Sequence, residues 1–336
     1  MIGTGMVANT HAFACRDSDL VQLTGVCAST QASAQRYADS LQRDHDMAVQ
    51  AFANVAEVAG SDVDFVIVTT PPDARLDIIE ALAGAGKPIL LEKPLERSLS
   101  AARTLVQSCA DRVPLGVVFQ HRAAEASAIM RQKLDDLGPL HAVEITAPWW
   151  RDQAYYDEPG RGTYARDGGG VLMTQAIHVI DLALSFTGPV RHVQAFARTS
   201  RAHQMEAEDF VSAGLEFANG AVGSLVASTA SFPGSPESIK LHGANASAEV
   251  SRGKLIWHGR DGRSETFGAV AKTGAGANPM GFGHRLHQGM IEDFASAINH
   301  NRPPMVTGQE ALNVHALIDA LTRSSREKTM VAVADV

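Results

Sequence analysis

Pro88-Ile89-Leu90-Leu91-Glu92-Lys93-Pro94 is an apolar run that stops abruptly in a carboxylate, an ammonium and a proline. Three successive aliphatic residues are too few for a helix and have the unbroken apolar character of a strand buried on both faces of a parallel sheet. Open α/β sheets bind ligands in the crevice outside the carboxyl ends of their strands, so charges planted there are candidates for chemistry. The bland alternative is a surface Glu-Lys pair at a loop start, and the flanking sequence decides between the two.

Upstream, Ala74 to Ala85 has helical periodicity closed by Gly86, and Phe65 to Thr69 reads as another buried strand. Val21 to Ala28 reads as a strand and Ser33 to Asp44 as the helix after it. Downstream, Ser98 is placed to cap a helix over Leu99 to Ser108, and Leu115 to Phe119 forms a further strand. Strand and helix alternate throughout, the signature of a doubly wound parallel sheet. At its start stands G-x-G-x-x-A, formed by Gly3, Thr4, Gly5, Met6, Val7 and Ala8. In such a turn the first glycine bends the chain, the second admits a pyrophosphate to the backbone, and the small last residue packs helix on strand. The expected ligand is NAD or NADP. Where an acidic residue often holds the adenosine ribose, the chain has Ala28-Ser29-Thr30-Gln31, with Arg36 in the following helix, so both cofactors stay open. Only Met1 and Ile2 precede Gly3, and several more apolar residues are expected upstream in the natural protein.

Composition narrows the class. The 336 residues suffice for two domains, and 45% hydrophobic with 20% charged residues is ordinary for a globular protein. A net charge of −8 with scattered basic residues argues against nucleic acid as a partner. Cys15, Cys27 and Cys109 fit no metal spacing and leave one unpaired, which predicts a reducing compartment and no metal. No apolar run reaches membrane-span length, and no signal-peptide pattern stands at the start. The expectation is a soluble cytoplasmic protein.

In the second half, Glu125 to Leu137 reads as a helix stopped by Gly138-Pro139, and Leu140 to Ala147 as a strand. A long loop, Pro148 to Asp167, carries Trp149, Trp150, Arg151, Asp152, Tyr155, Tyr156, Arg161, Tyr164 and Arg166. Aromatic faces beside arginines and carboxylates suit a hydroxylated ligand, and packing on a neighbouring subunit is the alternative use. Val171 to Phe186 is an apolar helix starting at a triple glycine, with Thr174 and His178 on one face and Asp181 a turn later, placed either to orient His178 or to serve a structural hydrogen bond. Alternating strands follow at Val190–Ala197, Phe210–Phe217, Val222–Ser228, Ile239–His242 and Leu255–His258, with Asn219-Gly220 as a hairpin turn. Gly268 to Gly283 reads as a flexible loop; His284, His287 and Gln288 open the next helix, with capping and surface roles favoured over substrate contact; a last helix spans Gln309 to Ser324.

Taken in order, the glycine turn, Thr69-Thr70-Pro71-Pro72, Glu92-Lys93-Pro94, Phe119-Gln120-His121-Arg122, the segment Gly168 to Asp181 and Pro304 to Ala311 resemble the glucose-fructose oxidoreductase/inositol dehydrogenase (Gfo/Idh/MocA) family. The resemblance spans essentially the whole chain. It implies an α/β protein: an N-terminal Rossmann doubly wound parallel sheet over 1–122, a C-terminal α+β domain with an open, mostly antiparallel sheet for substrate binding and oligomerisation over 123–308, and a C-terminal helix and tail over 309–336. It also implies NAD(P)-dependent hydride transfer at a carbinol or keto carbon of a sugar, cyclitol or related polyol, in a homodimer or homotetramer. Lys93 and His178 take the catalytic positions. Cofactor contacts are expected from the glycine turn, Ser29, Thr30, Thr70, Pro71, Pro72, Glu92, Lys93, Pro94 and Gln120. Substrate contacts are expected from Lys93, Gln120, Arg122, Arg151, Tyr164, Thr174 and His178. Inositol-dehydrogenase-like members carry an aspartate where this chain has Thr174, which weakens inositol itself as the substrate. Two rival readings are a cofactor-bound sensor without turnover, against which the retention of Lys93 and His178 argues, and an NAD-dependent glycoside hydrolase working by redox elimination, which turns over without net NADH.

Overall fold

In the computed structural model, residues 1–270, 276, 281 and 283–336 are described, and the chain divides into two units. The first comprises Met1–Glu96, Ser100–Gln120 and His284–Ala311; the second comprises Arg97–Leu99, His121–Gly283 and Leu312–Val336. Residues 284–311 thus group with the dinucleotide-binding turn, whereas the sequence segmentation carries them in its second and third parts.

In the first unit the strands are short and buried: β1 (Gly25–Cys27), β2 (Gln50–Phe52), β3 (Val66–Val68), β4 (Ile89–Glu92) and β5 (Leu115–Val118). β1 pairs with β2, and β3, β4 and β5 pair in that order, all in parallel. Ile2 bridges Cys27 and Val68 and so joins the two groups into one sheet. Its amide donates to the Ile67 carbonyl at 2.8 Å and its carbonyl accepts from Thr69 at 2.8 Å. The Met1 amino group is buried, donates to the Gly25 carbonyl at 2.8 Å, and is lowered by burial to about 6. Met1, Leu23, Gly25, Phe65 and Ile298 are among the residues lining a cavity of about 350 Å³ in this unit.

The helices between these strands are α1 (Ala8–Arg16), α2 (Gln31–His45), α3 (Val55–Gly60) and α4 (Leu76–Gly84), with α5 (Leu99–Cys109) ahead of β5. Thr30 caps α2 by accepting from the Ser33 amide, as the sequence allows. β2 and α3 are additions to the sequence reading, and the strand expected over Val21 to Ala28 is paired only at Gly25–Cys27.

α6 (Glu125–Gln132) ends five residues before the expected stop at Leu137, and a 3-10 turn over Asp135–Leu137 fills the interval. The second unit is built on a nine-stranded sheet. Its strands are β6 (Leu140–Pro148), β7 (Val190–Arg198), β8 (Phe210–Phe217), β9 (Val222–Ser228), β10 (Ser238–Gly243), β11 (Ala246–Ser251), β12 (Lys254–Gly259), β13 (Ser264–Gly268) and β14 (Val331–Ala332). Their order is β13-β12-β11-β10-β6-β9-β8-β7-β14, antiparallel except for the parallel β6–β9 pair. The sheet is open and mostly antiparallel, as expected. A short α7 (Gln153–Tyr156) interrupts the aromatic loop, and α8 (Ile177–Thr187) packs on β6 and β10.

α9 (Arg285–Asn299) belongs to the first unit and packs against α1 and β5. The Phe294 ring meets Phe65 edge-on, with centroids 5.4 Å apart, and a Cβ added at Gly116 would strike that ring at 2.6 Å. α10 (Gly308–Glu327) runs from one unit into the other, and in the second unit Ser324 and Ser325 accept the Ala195 and Ala197 amides of β7. Most of the glycine-rich stretch expected to be a flexible loop lies outside the described residues. Among the described residues, no helix is long and apolar enough to cross a membrane.

Candidate active site

The glycine turn supplies the geometry that a dinucleotide needs. Gly3 has φ 105°, and a Cβ there would lie 2.6 Å from Thr69 Oγ1 and 2.9 Å from the Thr70 amide nitrogen, so only glycine fits. Around Gly5 a Cβ would meet nothing within 4 Å, leaving open space against the backbone. α1 follows, with Val7 as its cap residue; the Ala8 amide is taken by the Gly5 carbonyl at 3.0 Å, and because no side chain caps the helix, the positive end of its dipole faces the turn, where an anionic ligand is favoured. Two buried polar atoms just past strand ends, Thr70 Oγ1 after β3 and Gln120 Oε1 after β5, have no partner among the described residues. These features fit a bound dinucleotide.

Glu92-Lys93-Pro94 is held from both sides within this unit. Glu92 is 6% exposed; its Oε1 accepts from His11 Nε2 of α1 at 2.7 Å, and its Oε2 accepts the Lys93 amide at 3.1 Å. Burial alone would push the Glu92 carboxyl up, but the His11 hydrogen bond and the electrostatic influence of His11, His287 and Lys93 outweigh it and hold it at about 2. On the other side, the buried Arg75 donates to the carbonyls of Thr70, Glu92 and Pro94. Burial lowers that guanidinium to about 10, against the opposing pull of Glu92, Glu96 and Asp73. Arg75 gave no motif signal in the sequence, since it lies in an ordinary polar turn after Pro72.

In the second unit, the helix expected over Val171 to Phe186 begins with a turn of π-helix, Leu172–Ala176, before α8. π-turns of this kind are frequently found at functional sites. Glu208 anchors its start: the carboxylate accepts the amides of Gly170 and Leu172. Burial raises the Glu208 carboxyl, with those backbone donors opposing. The Thr174 hydroxyl donates to the Gly170 carbonyl at 2.7 Å and lies in short contact with Gln175. His178 is 6% exposed, and its ring stacks obliquely on His121, with centroids 5.1 Å apart. His121 in turn lies 3.6 Å from Glu237, which also accepts from Trp149 Nε1. Asp181 serves a structural pair: both its oxygens accept from the buried Arg122, at 2.7 and 2.8 Å.

The remaining expected residues are described within their own units. Arg151 is buried, stacks over Trp149 and Tyr155, and donates to the carbonyls of Trp150 and Gly276. Tyr164 is 45% exposed. Ser29 is exposed beside the Thr30 cap, and Arg36 donates to Ser33 at 2.8 Å. His284 and Gln288 both reach Asp17, in keeping with the surface roles favoured for them, while His287 turns inward to Glu92. Burial pushes the thiols of Cys15 and Cys109 up to about 11, so they are inert.

A parallel sheet with a fitted dinucleotide turn, and a lysine clamped at the carboxyl edge of its buried strand, define an NAD(P)-dependent oxidoreductase. Comparison with known proteins agrees. Residues 1–119 match the oxidoreductase family with an NAD-binding Rossmann fold, and residues 128–249 match the GFO/IDH/MocA C-terminal domain. The chain belongs to the GFO/IDH/MocA family. It is 27% identical to inositol 2-dehydrogenase of Rhizobium meliloti (strain 1021), over 99% of this chain and 98% of the relative. It is 24% identical to D-apiose dehydrogenase of Paraburkholderia graminis, over 97% of this chain and 87% of the relative. Among solved structures, levoglucosan dehydrogenase in complex with NADH and levoglucosan superposes with a TM-score of 0.86 at 21% identity, covering 100% of this chain and 98% of that one. The WlbA dehydrogenase of Bordetella pertussis, in complex with NADH and UDP-GlcNAcA, gives 0.80 at 22% over the same shares. These two likenesses establish the fold.

Proposed function

We propose that the protein is a dehydrogenase that oxidises one hydroxyl-bearing carbon of a sugar, cyclitol or related polyol, or reduces the corresponding ketone. The observation that carries this reading is the fixed presentation of Lys93, whose flanking peptides are held by Glu92 and Arg75 at the edge of the dinucleotide sheet. The bound nicotinamide supplies the hydride acceptor or donor. His178 acts as general base in the oxidation direction and takes the hydroxyl proton, its side chain being the one best matched to neutral pH. Lys93 donates a hydrogen bond to the same oxygen and stabilises the negative charge that develops there. Thr174 spends its proton on Gly170, so toward a substrate it acts as an acceptor. Gln120, Arg151 and Tyr164 are candidate contacts to the other hydroxyls, whereas Arg122, paired with Asp181, secures α8.

The names of the relatives support this substrate class, since they act on inositol and on apiose. The three free, buried cysteines support a cytoplasmic setting. The uncovered face of the nine-stranded sheet, with Phe196 55%, Val222 58% and Val226 38% exposed, supports a homodimer or homotetramer built on that face.

The test is a panel of aldoses, acid sugars, cyclitols and keto sugars followed by nicotinamide absorbance with NAD and NADP in turn. Net reduction of the cofactor by at least one sugar or cyclitol is expected, and turnover without net reduction would favour a redox-elimination hydrolase instead. Lys93→Met and His178→Ala should each lower kcat by about 100- to 10,000-fold while NADH affinity is retained. Full activity in either variant refutes the assignment.

A further inference from the structure

His11, Glu92 and His287 form a buried cluster in the first unit, directly behind Lys93. All three are buried, at 0, 6 and 2% exposure, and they come from α1, the end of β4 and α9. His11 Nε2 lies 2.7 Å and His287 Nε2 3.7 Å from the same oxygen, Glu92 Oε1, and the two rings meet edge to face at 85°. The other oxygen of Glu92 receives the Lys93 amide. The carboxylate is therefore divided, with one oxygen toward two imidazoles and one toward the backbone of the catalytic lysine.

Two imidazoles and a carboxylate are also a familiar metal-ligand set. Ligand atoms about 2.0–2.1 Å from a tetrahedral zinc lie about 3.3 Å from one another, and the 2.7 Å His11–Glu92 contact is a hydrogen bond instead. His11 Nδ1 also has no partner among the described residues, whereas a metal-bound imidazole normally donates its second N–H.

We propose that His287, with His11, is a positioning residue for Lys93: the two imidazoles fix the orientation of Glu92, and Glu92 fixes the lysine backbone from which the ammonium projects. This rests on the reading of Lys93 as catalytic. The charged and titratable groups facing Glu92 are His11 from α1, His287 from α9, Arg75 from the turn after β3, and Lys93 itself. His11 and Arg75 belong to the same sequence region as Glu92, but His287 arrives from far along the chain, so the lysine is fully supported only when α9 is in place.

The experiment compares the parent protein with His287→Leu, which removes the polar ring that faces Glu92 at 3.7 Å, and His287→Gln, which returns a polar group there. Lysines are labelled by reductive ¹³C-methylation, the Lys93 signal is assigned by its loss in Lys93→Arg, and its titration midpoint is read without substrate. We expect the midpoint to move by about half a pH unit or more in His287→Leu and to return close to the parent value in His287→Gln. On the best sugar from the panel, His287→Leu should lose about tenfold in kcat, with the KM for cofactor changed less than about twofold, and His287→Gln should recover most of the loss. A Lys93 midpoint identical in all three proteins overturns the proposal. If no sugar is turned over, the functional reading fails and the titration still decides the positioning role. Should His287→Leu not fold, His287→Asn, whose shorter side chain withdraws the polar group from Glu92, takes its place with the same expected shift.

Discussion

Glu92 links acid sensitivity to the clamp on Lys93. Its folded carboxyl lies at about 2, below its ordinary 4.5, so ionised Glu92 contributes stability that is complete above about pH 4.5 and is lost as pH falls toward about 2. Denaturation midpoints measured from about pH 5 down to about pH 3 should therefore fall more steeply in the parent than in Glu92→Gln. Equal slopes would show that the carboxylate is not stabilised in this way. Arg122 gives a second residue-scale outcome. Its replacement by leucine removes the ion pair and both hydrogen bonds that it gives to the buried Asp181, and a loss of about 3–5 kcal/mol in urea unfolding is expected. As candidates, Lys93 and Glu92 were legible in the sequence because they end a buried strand, and His178 because its glycine-led helix resembles the family's. Arg75, His11 and His287 were not, because each occupies an ordinary turn or amphipathic helix, and only the three-dimensional path of the chain brings them to one carboxylate.

Among elements, the π-turn ahead of α8 shows where pattern reading stops. The apolar run after the triple glycine identified a helix, but its hydrogen-bond spacing is set by what anchors the first turn, and that anchor, Glu208, comes from the end of a distant loop. A Cβ at Gly170 would lie 1.7 Å from the Glu208 carbonyl oxygen, a backbone atom that cannot rotate away. Gly170→Ala is thus expected to lower stability by at least about 3 kcal/mol and to reduce kcat through displacement of His178, as read by thermal unfolding and steady-state kinetics. β2, α3 and β13 escaped the sequence reading for a simpler reason: each is six residues or fewer and carries little periodic signal. The parallel β6–β9 pair escaped because alternation along a strand reports its faces and not its neighbour.

At the scale of the whole molecule, the nine-stranded sheet presents the exposed Phe196 and Val226 in register on either side of Ser212, across β7, β8 and β9. If that face joins copies of the chain, the double variant Phe196→Asp/Val226→Asp should elute at the 35.6 kDa mass of one chain while the parent elutes at a multiple of it. An unchanged multiple would move the contact elsewhere. The doubly wound alternation was readable in the sequence because it rests on repeated local patterns, and the family and its open sheet because several short motifs stand in a fixed order and spacing. The return of residues 284–311 to the first unit was not, since nothing in an amphipathic helix names the sheet it covers. That return has a consequence for how the protein comes into being. On the ribosome, the glycine turn and the strands that follow it emerge early, but the Phe294 ring over Gly116, the His287 contact to Glu92 and the Val306 carbonyl that receives the Val117 amide are made late. A nascent chain stalled before residue 284 should therefore fail to retain dinucleotide, and synthesis of the second unit should be nearly finished before the first can mature.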